Sequence, residues 1–402
     1  ALALLSAQFY GYPSRRLRMI GITGTNGKTT TSYLIKSIIE GAGKRCGLFG
    51  TISYIIGDET MPAPHTTPES SDLQKYLYKI IETGAEYAVM EVSSHALELN
   101  RVADCEFDIA VFTNLTQDHL DFHKTMEDYF NAKLKLFTSL SNERGKMVKK
   151  VGIINIDDPY SKRILDAMKV KAVTYGFSMD ADIRPDDIRM GINGISFKAV
   201  TPKGIFPVES KLTGKYNIKN ILSAIGVGQG LGFDNSIIAD GIRAVESVSG
   251  RFEKIDEGQD FAVVVDYAHT EDALKRLLEA AKEFAKGRII TVFGCGGDRD
   301  KGKRPKMGEA AGKLSDIVII TSDNPRSEDP IEIIKAIEEG IKGIKNGRPR
   351  DYLIMPDRRE AIYKAIGLAK KDDIVVIAGK GHEDYQIIGD KKSHFDDREI
   401  AR

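Results

Sequence analysis

Ten residues at 21–30, GITGTNGKTT, hold three glycines, four threonines and a lysine. Such a stretch suits a phosphate chain. Glycines let backbone N–H groups converge on phosphate oxygens, and a helix starting behind them adds partial positive charge. Lys28 adds a full charge, Thr29 carries a hydroxyl for a divalent cation, and Gly24, Thr25, Asn26, Gly27 and Thr30 complete the cradle. The loop is not a strict Walker A. That pattern wants a glycine five before Gly27, where Ile22 stands, so the spacing is the shorter G-T-x-G-K-T form.

Other residues carry chemistry at the ends of apolar runs. Glu91 closes the run Tyr87–Val92, which reads as a strand. Its carboxylate would stand at a sheet's carboxyl edge, where open α/β sheets bind ligands, and oxygen ligands suit Mg²⁺. A solvated strand-end carboxylate is the plainer alternative. His119 follows the run Ile109–Phe112 and is open to both a ligand and a structural reading; His95 reads as structural. Lys133, in YFNAK, reads by sequence alone as a solvated helix lysine. DNPR at 323–326 follows a third run. Asn324 and Arg326 suit the end of an amino acid, the guanidinium forking onto a carboxylate, although such a segment is also an ordinary type I turn.

These side chains need elements to hold them. Leu17–Thr23 reads as a buried strand, and Thr29–Glu40 as a helix through Leu34, Ile35, Ile38 and Ile39, stopped by Gly41 and Gly43. Helix Met126–Leu140, strand Val151–Ile156, a strand- and turn-rich stretch at 172–212 and helices at 218–232 and 235–247 follow. A second series alternates strands Phe261–Val265, Ile289–Phe293, Ile317–Thr321 and Ile374–Ala378 with helices Glu271–Ala285, Ile331–Ile341 and Arg358–Ala369. Alternation of this kind predicts mostly parallel sheets with helices on both faces. The break falls near Ser247–Arg251.

The 402 residues are enough for two or three domains. The charge balances, 58 basic against 58 acidic residues, which removes any bulk electrostatic case for nucleic acid or a membrane surface. Three distant cysteines, Cys46, Cys105 and Cys295, fit a reduced compartment without disulfides. No apolar run approaches the roughly 20 residues of a membrane span, and the apolar start at 1–7 lacks the basic segment of a signal peptide.

The loop TNGKTT resembles the ATP loop of the Mur ligases and of their relatives, the folylpolyglutamate and cyanophycin synthetases. EVSSHAL at 91–97, TNLTQDHLD at 113–121, SGRFE at 249–253, DYAHT at 266–270, GCGGDRDKGKR at 294–304, DNPR at 323–326 and GKGHED at 379–384 follow in family order. As a set they are similar to the diaminopimelate-adding branch, with a lysine-adding sibling or a folylpolyglutamate synthetase as nearest enzyme alternatives. A non-catalytic nucleotide-binding module is disfavoured by the retention of Lys28, Glu91, His119 and Lys133 together.

The resemblance implies a central P-loop ATPase-type domain at 17–248, a C-terminal Rossmann-like domain at 249–402, and residues 1–16 as the tail of an absent N-terminal lobe that binds UDP. It implies a cytoplasmic, monomeric, ATP-dependent ligase using Mg²⁺, with UDP-N-acetylmuramoyl-dipeptide and diaminopimelate as partners and an acyl phosphate on the path. Thr29, Glu91, His119 and Lys133, the last as a CO₂-derived carbamate, would hold metal. Lys28, Lys133, His119 and Arg251 would be catalytic. Asn217, with Lys215 and Asn220 nearby, and Asp266 and His269 would touch the nucleotide. Thr66, Thr67, Ser93 and Arg101 would hold the muramoyl-peptide. Arg299, Asp323, Asn324, Pro325, Arg326, Gly379 and Glu383 would hold the amino acid, Glu383 taking an ammonium. Leu99 and Glu271 depart from the family pattern, which favours a polar residue and a proline there.

Overall fold

The computed structural model describes residues 1–140, 146, 148–344 and 351–402. They form two compact units, Ala1–Glu246 and Ser247–Arg402.

In the first unit, strands β1 (Arg18–Thr23), β2 (Cys46–Phe49), β3 (Ser53–Ile56), β4 (Glu59–Pro62), β5 (Tyr87–Glu91), β6 (Ile109–Phe112), β7 (Val151–Asn155) and β8 (Lys171–Tyr175) make one sheet. Its order is β4-β3-β2-β5-β1-β6-β7-β8. β1 lies between β5 and β6, parallel to both, with Ile22 opposite Glu91 and Thr23 opposite Phe112. The register therefore ends three strands at one edge, and the residues just after them share it. Central strands covered on both faces need continuous apolar sequence, and every residue of β1 after Arg18 is buried. Helix Lys28–Gly41 follows β1 and buries Leu34, Ile35, Ile38 and Ile39. Residues 1–16 pack within this unit, where helix Leu2–Phe9 buries Ala3, Ser6 and Ala7.

The expectation of mostly parallel sheets holds for the centre but not for residues 184–210. There β9 (Arg184–Gly191), β10 (Gly194–Thr201) and β11 (Gly204–Ser210) form a separate antiparallel sheet. The reason is loop length. Gly191 pairs with Gly194 and Thr201 with Gly204, and two-residue connections permit only hairpins.

In the second unit, β12 (Glu253–Ile255), β13 (Ala262–Asp266), β14 (Ile289–Phe293), β15 (Ile317–Ile320), β16 (Asp351–Ile354) and β17 (Ile374–Ala378) stand in the order β12-β13-β17-β14-β15-β16. Only β12 is antiparallel to its neighbour. Asp266 and Phe293 both face Ala378 across the ladders, and Phe293 faces Ile320, so four strands again end level. β18 (Tyr385–Ile388) and β19 (Lys391–His394) form a hairpin.

Candidate active site

At the carboxyl edge of the first sheet, Gly27 sits at φ 88°, in the left-handed region, and a Cβ there would collide with the Asn220 side-chain oxygen. Glycine is thus required by both backbone and space. Gly27 also leaves helix Lys28–Gly41 without a side-chain cap, and the first N–H groups of a helix have no acceptor within it. The loop is braced from β6: Thr25 N donates to Asn114 O at 2.8 Å, Asn26 N to Asn114 Oδ1 at 3.0 Å, and Thr113 Oγ1 to Asn26 O at 2.7 Å. Lys28 Nζ donates to the carbonyls of Gly24 (3.0 Å) and Thr25 (2.8 Å), which folds its charge over the loop. Thr30 is buried in the helix's first turn. Asn217 donates to Thr213 O and accepts from Asn220, the residue against Gly27.

Glu91 is fully buried and its carboxylate is well supplied with donors. Thr29 Oγ1 (3.1 Å) and Thr51 Oγ1 (2.9 Å) donate to Oε2, and Thr51 N (2.8 Å) to Oε1. The solvated-carboxylate alternative does not hold. Thr51 escaped the sequence reading. The signal for it was Gly50, just past β2, where a Cβ would come within 2.6 Å of Glu91 Oε1. From Thr51 the hydroxyls continue to Thr66 Oγ1 at 3.2 Å. Thr67 Oγ1 donates to Glu91 O at 2.8 Å and accepts from Ser93 N at 3.0 Å, while Arg101 Nη1 donates to Thr67 O at 3.1 Å and Nη2 pairs with Glu69 at 2.6 Å. Thr66, Thr67, Ser93 and Arg101 are therefore one network contiguous with Glu91.

Lys133 corrects the reading of it as a solvated lysine. Helix Met126–Thr138 buries Tyr129, Phe130, Ala132, Lys133, Leu136 and Phe137, which is a single stripe at helical spacing with the lysine in its middle. Lys133 Nζ donates to Gly24 O at 2.8 Å and lies 4.5 Å from the Tyr129 ring centre. Burial, then the Lys28 charge, push its pKa well below the ordinary lysine value. His119, in the left-handed region at φ 55°, stands 3.4 Å from Asp118 and in edge contact with His95 at 4.8 Å. Packing against these neighbours holds it on the neutral side of its usual titration, with His95, Lys133 and Lys28 adding in the same direction and Asp118 opposing. A neutral imidazole is the ligating form. Tyr129 lies between the two groups, its ring centre 6.0 Å from that of His119 and its hydroxyl 3.1 Å from Thr25 Oγ1.

Among the described residues no three His, Cys, Asp or Glu side chains form a ready metal cage. Buried Glu91 with the Thr29 hydroxyl nonetheless supplies oxygen donors beside the phosphate loop. That fits Mg²⁺, which keeps waters and phosphate oxygens in its shell and takes only one or two protein carboxylates.

The carboxyl edge of the second sheet holds the remaining residues. Arg251 lies 4.7 Å over the Tyr267 ring, Asp266 Oδ2 accepts from Phe252 N at 2.7 Å, and His269 Nδ1 meets Tyr267 O at 2.9 Å. Burial raises the Asp266 pKa and Arg251 opposes it. Asn324 Nδ2 donates to Glu383 Oε2 at 2.8 Å. A Cβ on Gly379 would lie 2.7 Å from Asp323 Oδ2. Arg326 Nη1 donates to Gly297 O at 2.7 Å, and a Cβ on Gly296 would touch both Arg326 Nη1 and Arg299 Cγ. The Pro325 carbonyl packs on Gly297. All seven residues expected to hold an amino acid thus share one edge, with Arg299 exposed and Arg326 half-buried. Lys380, fully buried beside Glu383 and Asn324, was not singled out by sequence.

Comparison with known proteins bears on this arrangement. Residues 22–228 match the Mur ligase middle domain and 250–381 the Mur ligase, glutamate ligase domain. A protein of Caldanaerobacter subterraneus subsp. tengcongensis is 49% identical over all of this chain and 81% of its own length. One of Geobacter metallireducens is 48% identical over 99% of this chain and 80% of its own. Both are called UDP-N-acetylmuramoyl-L-alanyl-D-glutamate–2,6-diaminopimelate ligase. A solved structure of an enzyme with that name superposes with a TM-score of 0.69 and 37% identity, covering 100% of this chain and 81% of that one.

Proposed function

This chain belongs to the Mur ligase family, and from that premise we propose that it joins meso-2,6-diaminopimelate to the D-glutamyl carboxylate of UDP-N-acetylmuramoyl-L-alanyl-D-glutamate at the expense of ATP. The observation that carries the reading is the group around the phosphate loop, in which buried Thr29, Glu91 and Lys133 and half-buried Lys28 all bond to the loop or to one another.

A carboxylate is a poor electrophile, so an amine cannot displace its oxygen directly. Phosphoryl transfer from ATP turns that oxygen into a leaving group. The resulting acyl phosphate is then attacked by the amine, releasing phosphate and leaving an amide. The chain's task is to position both substrates and to offset negative charge as it develops. Lys28 and the loop N–H groups do so at the phosphates. Thr29 and Glu91 would hold Mg²⁺, which when bound supplies charge neutralisation between phosphate oxygens. Lys133 is suited to a carbamate. Its depressed pKa enlarges the share of neutral amine, and only a neutral amine adds CO₂. The carbamate nitrogen keeps one N–H, so the bond to Gly24 O survives. The product is an anion, which a metal site accepts and an ammonium does not. His119, held neutral, is the remaining candidate ligand.

Thr66, Thr67, Ser93 and Arg101 are assigned to the muramoyl-peptide, and Arg251, Asp266, His269 and Asn217 to the nucleotide. Asn324, Arg326 and Glu383, with Asp323, Pro325, Arg299 and Gly379 around them, are assigned to diaminopimelate. Among the described residues no helix is long and apolar enough to cross a membrane. The test is phosphate release with ATP, the muramoyl-dipeptide and a panel of amino acids. Release should require all three substrates and be fastest with diaminopimelate. Release without the dipeptide, or equal rates across the panel, would overturn the reading.

A further inference from the structure

Lys380 has no access to water, and its amine is turned onto one carboxylate and one amide. Its Nζ donates to Glu383 Oε2 at 3.1 Å and to Asn324 Oδ1 at 3.3 Å. Asn324 is thereby fixed in one amide orientation, since Oδ1 also accepts from Ile387 N at 3.0 Å while Nδ2 donates to the same Glu383 Oε2. Glu383 Oε2 has two donors, and no described residue donates to Oε1. Oε1 is not among the buried atoms that lack a partner, so it reaches the surface.

We propose that Lys380 is a positioning residue for the amino-acid substrate: its bonds to Glu383 Oε2 and Asn324 Oδ1 hold Glu383 turned so that Oε1 is presented to a substrate ammonium. This rests on the diaminopimelate reading above. The groups facing Glu383 make the need for a cation plain. Asp323 is a second carboxylate close by, and Tyr267 and Tyr385 bring phenols. The buried Arg358 is already bound bidentately to Asp397, at 2.8 and 2.7 Å. Burial, then Asp323, raise the Glu383 pKa above the usual carboxylate value on balance, and Lys380 is the largest influence limiting that rise. A protonated Glu383 would present no charge to an ammonium.

The test is the pH dependence of kcat/KM for diaminopimelate with the full chain, wild type against Lys380→Met and Lys380→Gln. Without the lysine, Glu383 should stay protonated to higher pH. The acid limb of the profile should therefore move up by about one pH unit or more, with at least ~10-fold loss on its acid side. The loss should appear as a raised KM for the amino acid, with KM for ATP nearly unchanged. Lys380→Gln is one atom shorter but keeps a neutral N–H donor, so it separates charge from hydrogen bonding if Lys380→Met does not fold. An unmoved acid limb in either folded variant overturns the proposal. So would loss of folded protein in both, since the lysine would then serve the core rather than the site. Failure of the wild type to use diaminopimelate at all would instead remove the underlying functional reading.

Discussion

Lys133 and Arg326 show how much a single side chain's surroundings decide. Lys133 is buried on the apolar face of its helix with a carbonyl as its hydrogen-bond partner, a costly place for an ammonium. If the neutral amine is there to take up CO₂, Lys133→Ala should lose at least ~10²-fold in kcat, because an anion beside the phosphates is gone. Short carboxylic acids such as acetate should restore part of the rate by filling the vacated space. Rate measurements with and without added carboxylate check this, and a variant that keeps near-normal turnover would sink the carbamate. Wild-type activity should also fall when CO₂ is stripped from the buffer. The fall should be steeper at low pH, where less of the amine is neutral. Arg326 raises the question of selectivity. Its Nη1 is spent on Gly297 and Asn324 carbonyls, which holds the rest of the guanidinium fork in place. A planar fork gives a carboxylate two parallel bonds and repels an ammonium. Diaminopimelate carries a carboxylate at its far end and lysine does not. Arg326→Ala should therefore cost diaminopimelate at least ~30-fold in kcat/KM, with a much smaller effect on lysine. Equal losses for both amino acids would show that Arg326 supports the Gly297 turn and nothing more.

At the scale of elements, one helix pair makes a sharp case. Helices Lys303–Leu314 and Pro330–Lys342 approach so closely that a Cβ on Gly340 would overlap the Pro305 carbonyl, and one on Gly308 the Ile337 carbonyl. Both glycines have ordinary negative φ, so the requirement is space and not backbone freedom. Gly340→Ala must push backbone against backbone. It should destabilise the second unit by about 1–3 kcal/mol, net of the small gain alanine brings to a helix, and thermal melting reads the result. An unchanged or raised melting temperature would mean that the helices separate at no cost. The same pair explains a gap in what sequence revealed. Strands β1, β5, β6, β13, β14 and β17 are legible because they are buried on both faces and their apolar runs are unbroken. The segment KRPKMGEAAGKL at 303–314 has no apolar stripe, since its contact face is made of Gly308, Ala311 and Gly312. Lys133 was misread for the opposite reason: its type says solvent, while the spacing of Tyr129, Phe130, Leu136 and Phe137 says core. Glu91 and the phosphate loop were legible because charge and glycine at strand ends have few purely structural uses. Thr51 was not, because its carboxylate partner stands 40 residues away, and Lys380 was not, because its type says solvent while the fold buries it completely.

For the whole molecule, the decisive feature is that the two units have separate cores. One is built around the first sheet, with Met19, Met90, Ala110, Phe112 and Phe137. The other is built around the second, with Val265, Val292, Ile319 and Ile377. Separate cores should open separately, since local stability follows the contacts that each cooperative unit makes. Hydrogen exchange along the chain can therefore assign an effect to its unit. A non-hydrolysable ATP analogue with Mg²⁺ should slow exchange at residues 24–41, where the loop and its helix lie. At a hundredfold excess over Kd the stabilisation is about 2.7 kcal/mol, a large effect on the local opening equilibrium. Lys28→Ala should remove that protection while leaving exchange in β5 and β6 as it was, because the lysine's amine donates to the Gly24 and Thr25 carbonyls of its own loop and not into the sheet ladders. Gly340→Ala should do the reverse. Exchange should quicken in 303–314 and 330–342, and the nucleotide should still protect 24–41 to the same degree. If Gly340→Ala abolished nucleotide protection in the first unit, the units would not be energetically independent. The effect of each substitution would then have to be treated as a property of the whole chain.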